Sequence, residues 1–299
     1  QNYLPREEAR VHLQEVARLK KRESLTLMTD GWEDRLRRSI YGTLLAEVGF
    51  RPVVLGLEDL TGKRATADAV LTVVEGALQK KEVSPSQVVA LVTDNPTTMT
   101  AFRRNYQLRY PWTITLFCFL HALNTIVGKI SSHPVAKAVM TRNARLVSYF
   151  NSSHYWGGQL EAIAIRINVT RSMKTNFPTR FYGLVLQAIS VQSYRPCLQE
   201  LCLRDDAQRA TRGLTSVSSD VVDICIRNAT HWRHNEQLIR TCKPLVDAIG
   251  NVETRDANLA DCMLELLWAE RAIAKLSITE TDDVDFAYHA KSTVRREFH

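Results

Sequence analysis

The sequence is poor in the features that mark several protein classes. Gly (12) and Pro (9) are few in 299 residues, and there is no internal repeat or low-complexity segment. No apolar run approaches the roughly 20 residues needed to cross a bilayer. No glycine fingerprint follows the first strand-like segment and no phosphate loop occurs, which argues against a nucleotide-binding enzyme. The six cysteines (Cys118, Cys197, Cys202, Cys225, Cys242 and Cys262) fall at irregular spacings and are expected to be reduced thiols. Cys118-x-x-His121 has the spacing of half a zinc site, but no second CxxC or HxxxH lies at a finger-like distance. Residues 118–150 contain no Asp or Glu. The opening QNYLPREEAR has no initiator Met and no apolar leader, so a piece of a longer product is expected. Sequons at Asn151, Asn168 and Asn228 are then expected to be chance matches.

What is present is a basic first half. Residues 1–150 carry 21 Lys+Arg against 14 Asp+Glu, and residues 151–299 carry 18 against 18, so the whole +7 lies in the first half. Such a surface favours a polyanionic partner. The same half twice runs an apolar stretch into Thr-Asp: LTLMTDGWED at 25–34 and VVALVTDNPT at 88–97. Asp-Gly and Asp-Asn-Pro are ordinary turn formers. Two carboxylates at neighbouring strand ends could equally hold a divalent metal.

Periodicity gives the order of elements. A helix is predicted over 5–23, then three close extended stretches at Leu25–Thr29, Ser39–Val48 and Pro52–Leu57. A helix over 64–81, the β-branched strand Val88–Thr93, a helix over 97–106, a strand at Ile114–Phe117 and a helix over 120–130 follow. Three antiparallel strands and then strands reached through helices predict a ribonuclease H-like α/β core with a mixed five-stranded sheet. That topology sets Asp30 and Asp94 side by side. Beyond about residue 134 only helices are predicted, at 135–150, 156–173, 180–193, 196–204, 217–228, 231–248 and 256–276, with an acidic loop at 279–286. The expected division is a lead-in helix (1–23), a core (24–133) and an all-α insertion domain (134–299).

Four blocks in register carry a family resemblance: Thr29-Asp30-Gly31-Trp32, Val92-Thr93-Asp94-Asn95, Cys118-x-x-His121-x-Leu123-Asn124, and Thr179-Arg180. They resemble hAT-superfamily transposases of the DUF659 type, and SYFNSSHYW (148–156) and HAKSTVRREFH (289–299) resemble its fungal members. The resemblance implies a ribonuclease H-like core interrupted by a helical insertion, a nuclear location, and cut-and-paste transposition of DNA. It implies a two-metal Mg²⁺ or Mn²⁺ site with Asp30 and Asp94 as ligands, and DNA contacts from His121, Arg180 and Phe181. Phe181 stands where the family has a Trp that stacks on a base. It also implies a homo-oligomer in the full-length protein and no membrane partner. The family's third acid, a Glu beyond the insertion, has no counterpart block before His299, so a fragment or remnant is expected. A domesticated, catalytically silent DNA- or protein-binding protein is the alternative. The basic runs Arg18–Arg22 and Arg35–Arg38 are candidates for tracking a DNA backbone.

Overall fold

The computed structural model describes residues 3–175, 181–210, 213–254 and 257–298. The chain divides into two compact units, Gln1–Ala122 and Leu123–His299. The first contains α1 (Tyr3–Leu19), β1 (Leu25–Glu33), β2 (Ser39–Ala46), β3 (Val53–Asp59), α2 (Ala67–Lys80), β4 (Val88–Thr93), α3 (Thr97–Arg109) and β5 (Ile114–Phe117). Helix α4 (Phe119–Ser131) begins in this unit and continues into the second.

The strands form one mixed sheet in the order β3-β2-β1-β4-β5. β1, β2 and β3 pair antiparallel, while β4 is parallel to β1 and β5 to β4. This is the α/β, ribonuclease H-like strand order that the sequence predicts. It makes β1, β3, β4 and β5 run the same way, so their C-terminal ends share one edge.

Side chains alternate across a sheet, and here the two faces differ. Leu25, Leu27, Leu45, Val53, Leu55 and Leu91 are buried under α2 (Val70, Val74, Leu78) and α3 (Met99, Phe102, Tyr106), with Val16 and Leu19 of α1. Each such side chain contributes about 1.5–3 kcal/mol by leaving water, and this face holds the unit together. On the other face Met28, Leu44, Val92 and Leu116 are half-buried, and Val54, Leu57 and Ile114 are exposed.

The first strand is longer than its sequence suggests. It continues through Asp30 and Gly31 to Glu33, so Asp-Gly is a strand interior here and the reversal falls at 34–38. Gly31 lies opposite Tyr41, and a Cβ on Gly31 would come within 2.7 Å of the Tyr41 ring. The glycine that reads as a turn signal is therefore a packing requirement.

The second unit is all-α: α5 (Pro134–Ser152), α6 (His154–Arg166), α7 (Phe181–Leu203), α8 (Asp205–Gln208), α9 (Ser219–Val222) running into a π-helical turn at Asp223–Arg227, α10 (Ala229–Val252), α11 (Leu259–Ala274) and α12 (Val284–Phe298). Two differences from the periodicity stand out. α7 runs unbroken through Pro196, because Val191, Tyr194, Cys197, Leu198 and Leu201 around it are all buried and their packing outweighs one lost hydrogen bond. α12 starts inside the expected acidic loop, where Asp283 accepts from Phe286 N at 2.8 Å and opens the helix. The core joins Leu146, Phe150, Trp156, Leu160, Leu198, Leu201 and Trp232. Asn235 ties it together by accepting from Asn143 Nδ2 (2.8 Å) and donating to Ala188 O (3.2 Å) and Gln192 Oε1 (2.8 Å). All six cysteines are free. Among the described residues no helix is long and apolar enough to cross a membrane.

His231 is fully buried beside Trp232, and neither ring nitrogen has a hydrogen-bond partner. Burial, aided by the charges of Arg142 and His234, pushes its pKa from 6.5 down to about 4. Between these values the unfolded chain takes up a proton that the folded chain refuses, so stability falls as pH drops through this window. The loss approaches about 3 kcal/mol at its lower end. In His231→Leu this part of the pH dependence should disappear from denaturant melts at pH 7 and pH 4.5; an unchanged difference between the two pH values would refute the assignment.

Candidate functional site

The shared edge of the sheet collects the residues singled out from sequence. β1 and β4 pair in parallel with Thr29 opposite Thr93. Both threonines point into the buried face, each 2 % exposed; Asp30 follows on the open face, and Asp94, just past the end of β4, lies near enough to feel its charge. Thr29 Oγ1 donates to Gly42 O at 2.9 Å, which fixes β1 against β2 at this level. Asp30 lies opposite Gly42, its side chain exposed, with Oδ1 accepting from Gly31 N at 2.9 Å. Trp32 lies across Gly42, where an added Cβ would sit 3.1 Å from its ring.

Asp94 is half-buried, and its Oδ1 is a buried oxygen without a hydrogen-bond partner. Burial raises its pKa, as does the charge of Asp30; His121 and Arg103 oppose the shift. Two carboxylates this close repel, and one tends to hold its proton unless a cation intervenes.

Arg103 of α3 is 9 % exposed. Its guanidinium donates to Thr93 Oγ1 and Asp94 O, each at 2.6 Å, to Asn95 Oδ1 at 2.5 Å and to Thr100 Oγ1 at 3.3 Å. One cation thus binds the backbone and flanking side chains of Thr-Asp-Asn and leaves the Asp94 carboxylate outside its grip. Cys118 N donates to Thr93 O at 2.6 Å, holding the start of α4 to the end of β4. His121 is exposed in the first turn of α4, near enough that its charge acts on Asp94. Tyr41 is the other neighbour. Burial, then the charges of Asp94 and Asp30, raise its pKa, so it presents a protonated hydroxyl at neutral pH.

Tyr41 and Arg103 are absent from the sequence reading. Arg103 left a trace, since it shares a helix face with Met99 and Tyr106, an unusual place for a cation. Tyr41 left none, because its role follows from the cross-strand pairing with Gly31. The other expected site residues lie in the second unit. Arg180 falls outside the described residues, and Phe181 opens α7 without a described side chain. Asn124 of the third sequence block accepts from Tyr182 N at 3.0 Å, which holds the start of α7 to α4.

The donor set suits a hard cation. Two Asp carboxylates, one with a buried oxygen that has no partner, are the oxygen donors that Mg²⁺ or Mn²⁺ would take. Among the described residues no three His, Cys, Asp or Glu side chains converge to hold a metal. Residues 1–147 match the family described as Domain of unknown function (DUF659), which is found in hAT-type transposase-like proteins. No curated protein matches the chain.

Because the raised pKa of Asp94 belongs to the folded state, its ionisation withdraws stability as pH climbs from the ordinary carboxylate range through that raised value. Without divalent metal, Asp94→Asn should therefore stabilise the protein at neutral pH, on the order of 0.5 kcal/mol for a half-solvated charge pair. The gain should vanish below about pH 4. Thermal melts in chelator test this, and a destabilised variant at pH 7.5 would count against carboxylate repulsion.

Proposed function

We propose that this chain is the catalytic-core portion of a hAT-type DNA transposase that cleaves and transfers DNA strands at element ends. The observation that carries the reading is the Thr29–Thr93 register, which brings Asp30 and Asp94 together and leaves a buried Asp94 oxygen unpartnered. The DUF659 match over residues 1–147 supports a transposase-like role.

Asp30 and Asp94 would hold Mg²⁺ or Mn²⁺. Bound there, the metal would stabilise charge on the scissile phosphate and lower the pKa of the attacking water or 3′-hydroxyl. Arg103 keeps the Asp94 backbone fixed while phosphate and cation come and go. Tyr41 keeps its proton, and its ring fills the space beside Gly31 on the neighbouring strand. His121, exposed in the first turn of α4, can offer a ring N–H to a DNA phosphate. Arg180 and Phe181 are assigned to DNA by resemblance to the family. In this reading the third acidic ligand comes from beyond this chain in the full-length protein, which acts in the nucleus as a homo-oligomer.

A second reading rests on the absence of a three-ligand cluster among the described residues. It makes the protein a domesticated, catalytically silent derivative that binds DNA or protein.

Two measurements separate these readings. A ligand at about 100 times its Kd adds about 2.7 kcal/mol of stability, so Mn²⁺ should raise the Tm of the wild-type chain by several degrees and leave Asp94→Asn unmoved. Mn²⁺-dependent nicking of supercoiled plasmid by the full-length protein should fall to background in Asp30→Asn and Asp94→Asn. Equal Mn²⁺ shifts in wild type and variant would remove the metal site, and metal binding without nicking would favour the silent derivative.

A further inference from the structure

The first unit is basic, and several of its cations are held in ion pairs. Arg18 and Arg22 both pair with Glu47, Lys20 with Glu82, Arg10 with Glu7, Lys80 with Glu58 and Arg109 with Glu75. Arg103 is buried in its own network. The run Arg18–Arg22, read alone, resembles a DNA-tracking segment; in the fold Arg18, Lys20 and Arg22 are tied to Glu47 and Glu82, which offset half its charge.

The β1–β2 hairpin is different. Asp34 Oδ1 accepts from Leu36 N (2.8 Å) and Arg38 N (2.9 Å), Asp34 N donates to Arg38 O (3.0 Å), and Arg37 N donates to Asp34 O (2.9 Å). Asp34 Oδ2 also takes the Arg38 guanidinium at 2.7 Å. One carboxylate therefore closes the turn and cancels Arg38. Arg35 and Arg37 remain exposed at the tip, Arg37 in the left-handed region at φ 59°. Neither has an ion-pair partner among the described residues.

A second loop is bolted to the base of this hairpin. Leu60 N donates to Ser39 O at 2.8 Å, and Ser39 N donates to Thr61 Oγ1 at 2.9 Å. The turn closes with Lys63 N on Leu60 O at 2.9 Å, and Gly62 supplies the required φ of 76°. Lys63 and Arg64 are exposed here, likewise without an ion-pair partner among the described residues. The loop leads into the positive N-terminal end of α2. Glu33, Asp59 and Asp68 are the acids nearby. Asp59 is engaged by Thr61 N at 2.8 Å, and Asp68 in the first turn of α2 accepts from Asn105 Nδ2 at 3.0 Å, so four cations face three carboxylates, two of them already engaged.

Placement gives the cluster its meaning. Both loops rise from the edge that carries Asp30 and Asp94. Glu33, at the hairpin base, follows Asp30 by three residues, about 10 Å of strand. That distance spans about three nucleotides of one DNA strand. We propose that Arg35, Arg37, Lys63 and Arg64 form a phosphate-binding shelf that grips duplex DNA a few nucleotides from the position held over Asp30 and Asp94. This rests on the DNA reading above and adds to it the side on which the duplex lies. The shelf reads backbone, not bases, because four cations on two rigid turns offer no groove-reading element.

The test is binding of the full chain to a labelled duplex of random sequence between about 50 and 200 mM salt. Each phosphate contact contributes about 0.9 to the slope of log affinity against log salt, so Arg35→Gln/Arg37→Gln and Lys63→Gln/Arg64→Gln should each lower it by about 1 to 2. Lys21→Gln/Arg51→Gln is the control. It removes two exposed cations beside the N-terminal ends of β1 and β3, at the opposite edge of the sheet, and should leave the slope unchanged. Equal losses from all three pairs, or none from the loop pairs, would overturn the shelf while leaving DNA binding intact. Failure of the wild-type chain to bind duplex would overturn the shelf and the DNA reading together.

Discussion

The register between two parallel strands is the constraint on which the rest depends. Thr29 opposite Thr93 buries both threonines and brings the two following carboxylates within reach of each other's charge. A slip of one residue would send one aspartate into the core face and its threonine to solvent, since side chains alternate with a period of two. The register is fixed from both flanks: Thr29 bonds β2 through Gly42, and Arg103 clasps Thr93 and Asn95 from α3. The Thr-Asp pairing in each strand thus has a division of labour, in which the threonine anchors and the aspartate is presented.

Arg103 also explains why a buried cation beside Asp94 does not neutralise it. Its donors go to hydroxyl, amide and backbone oxygens, while the Asp94 carboxylate keeps one oxygen unpartnered. A direct Arg–carboxylate pair there would fill the space a metal or phosphate needs. The arrangement leaves Asp94 repelled by Asp30 and only partly relieved by His121 and Arg103. Such a pair favours an incoming cation.

Much of the first unit was legible in the sequence because its signals are local. The β-branched run at 88–93, the close spacing of the first three strands and the helical periods at 64–81 and 97–106 each fix an element, and their order fixes the sheet. What the sequence hid depends on contacts between distant residues. Gly31 reads as a turn, yet it is a strand position cleared for the Tyr41 ring. Pro196 reads as a break, yet buried neighbours on both sides carry α7 through it. The basic runs read alike, and only the fold separates Arg18 and Arg22, each paired with Glu47, from Arg35 and Arg37, which are left to solvent.

Composition after Asp94 follows from the same electrostatics. From residue 95 to 160 there is no Asp or Glu, against seven Lys and Arg. Any acid placed early in that stretch, on α3 or the start of α4, would add to the repulsion Asp94 already bears and would repel a phosphate approaching it. The same choice leaves α3 and the start of α4 without a third carboxylate. In the proposed reading the pair of aspartates and the exposed cations of the hairpin are the part of a phosphodiester site that receives the substrate.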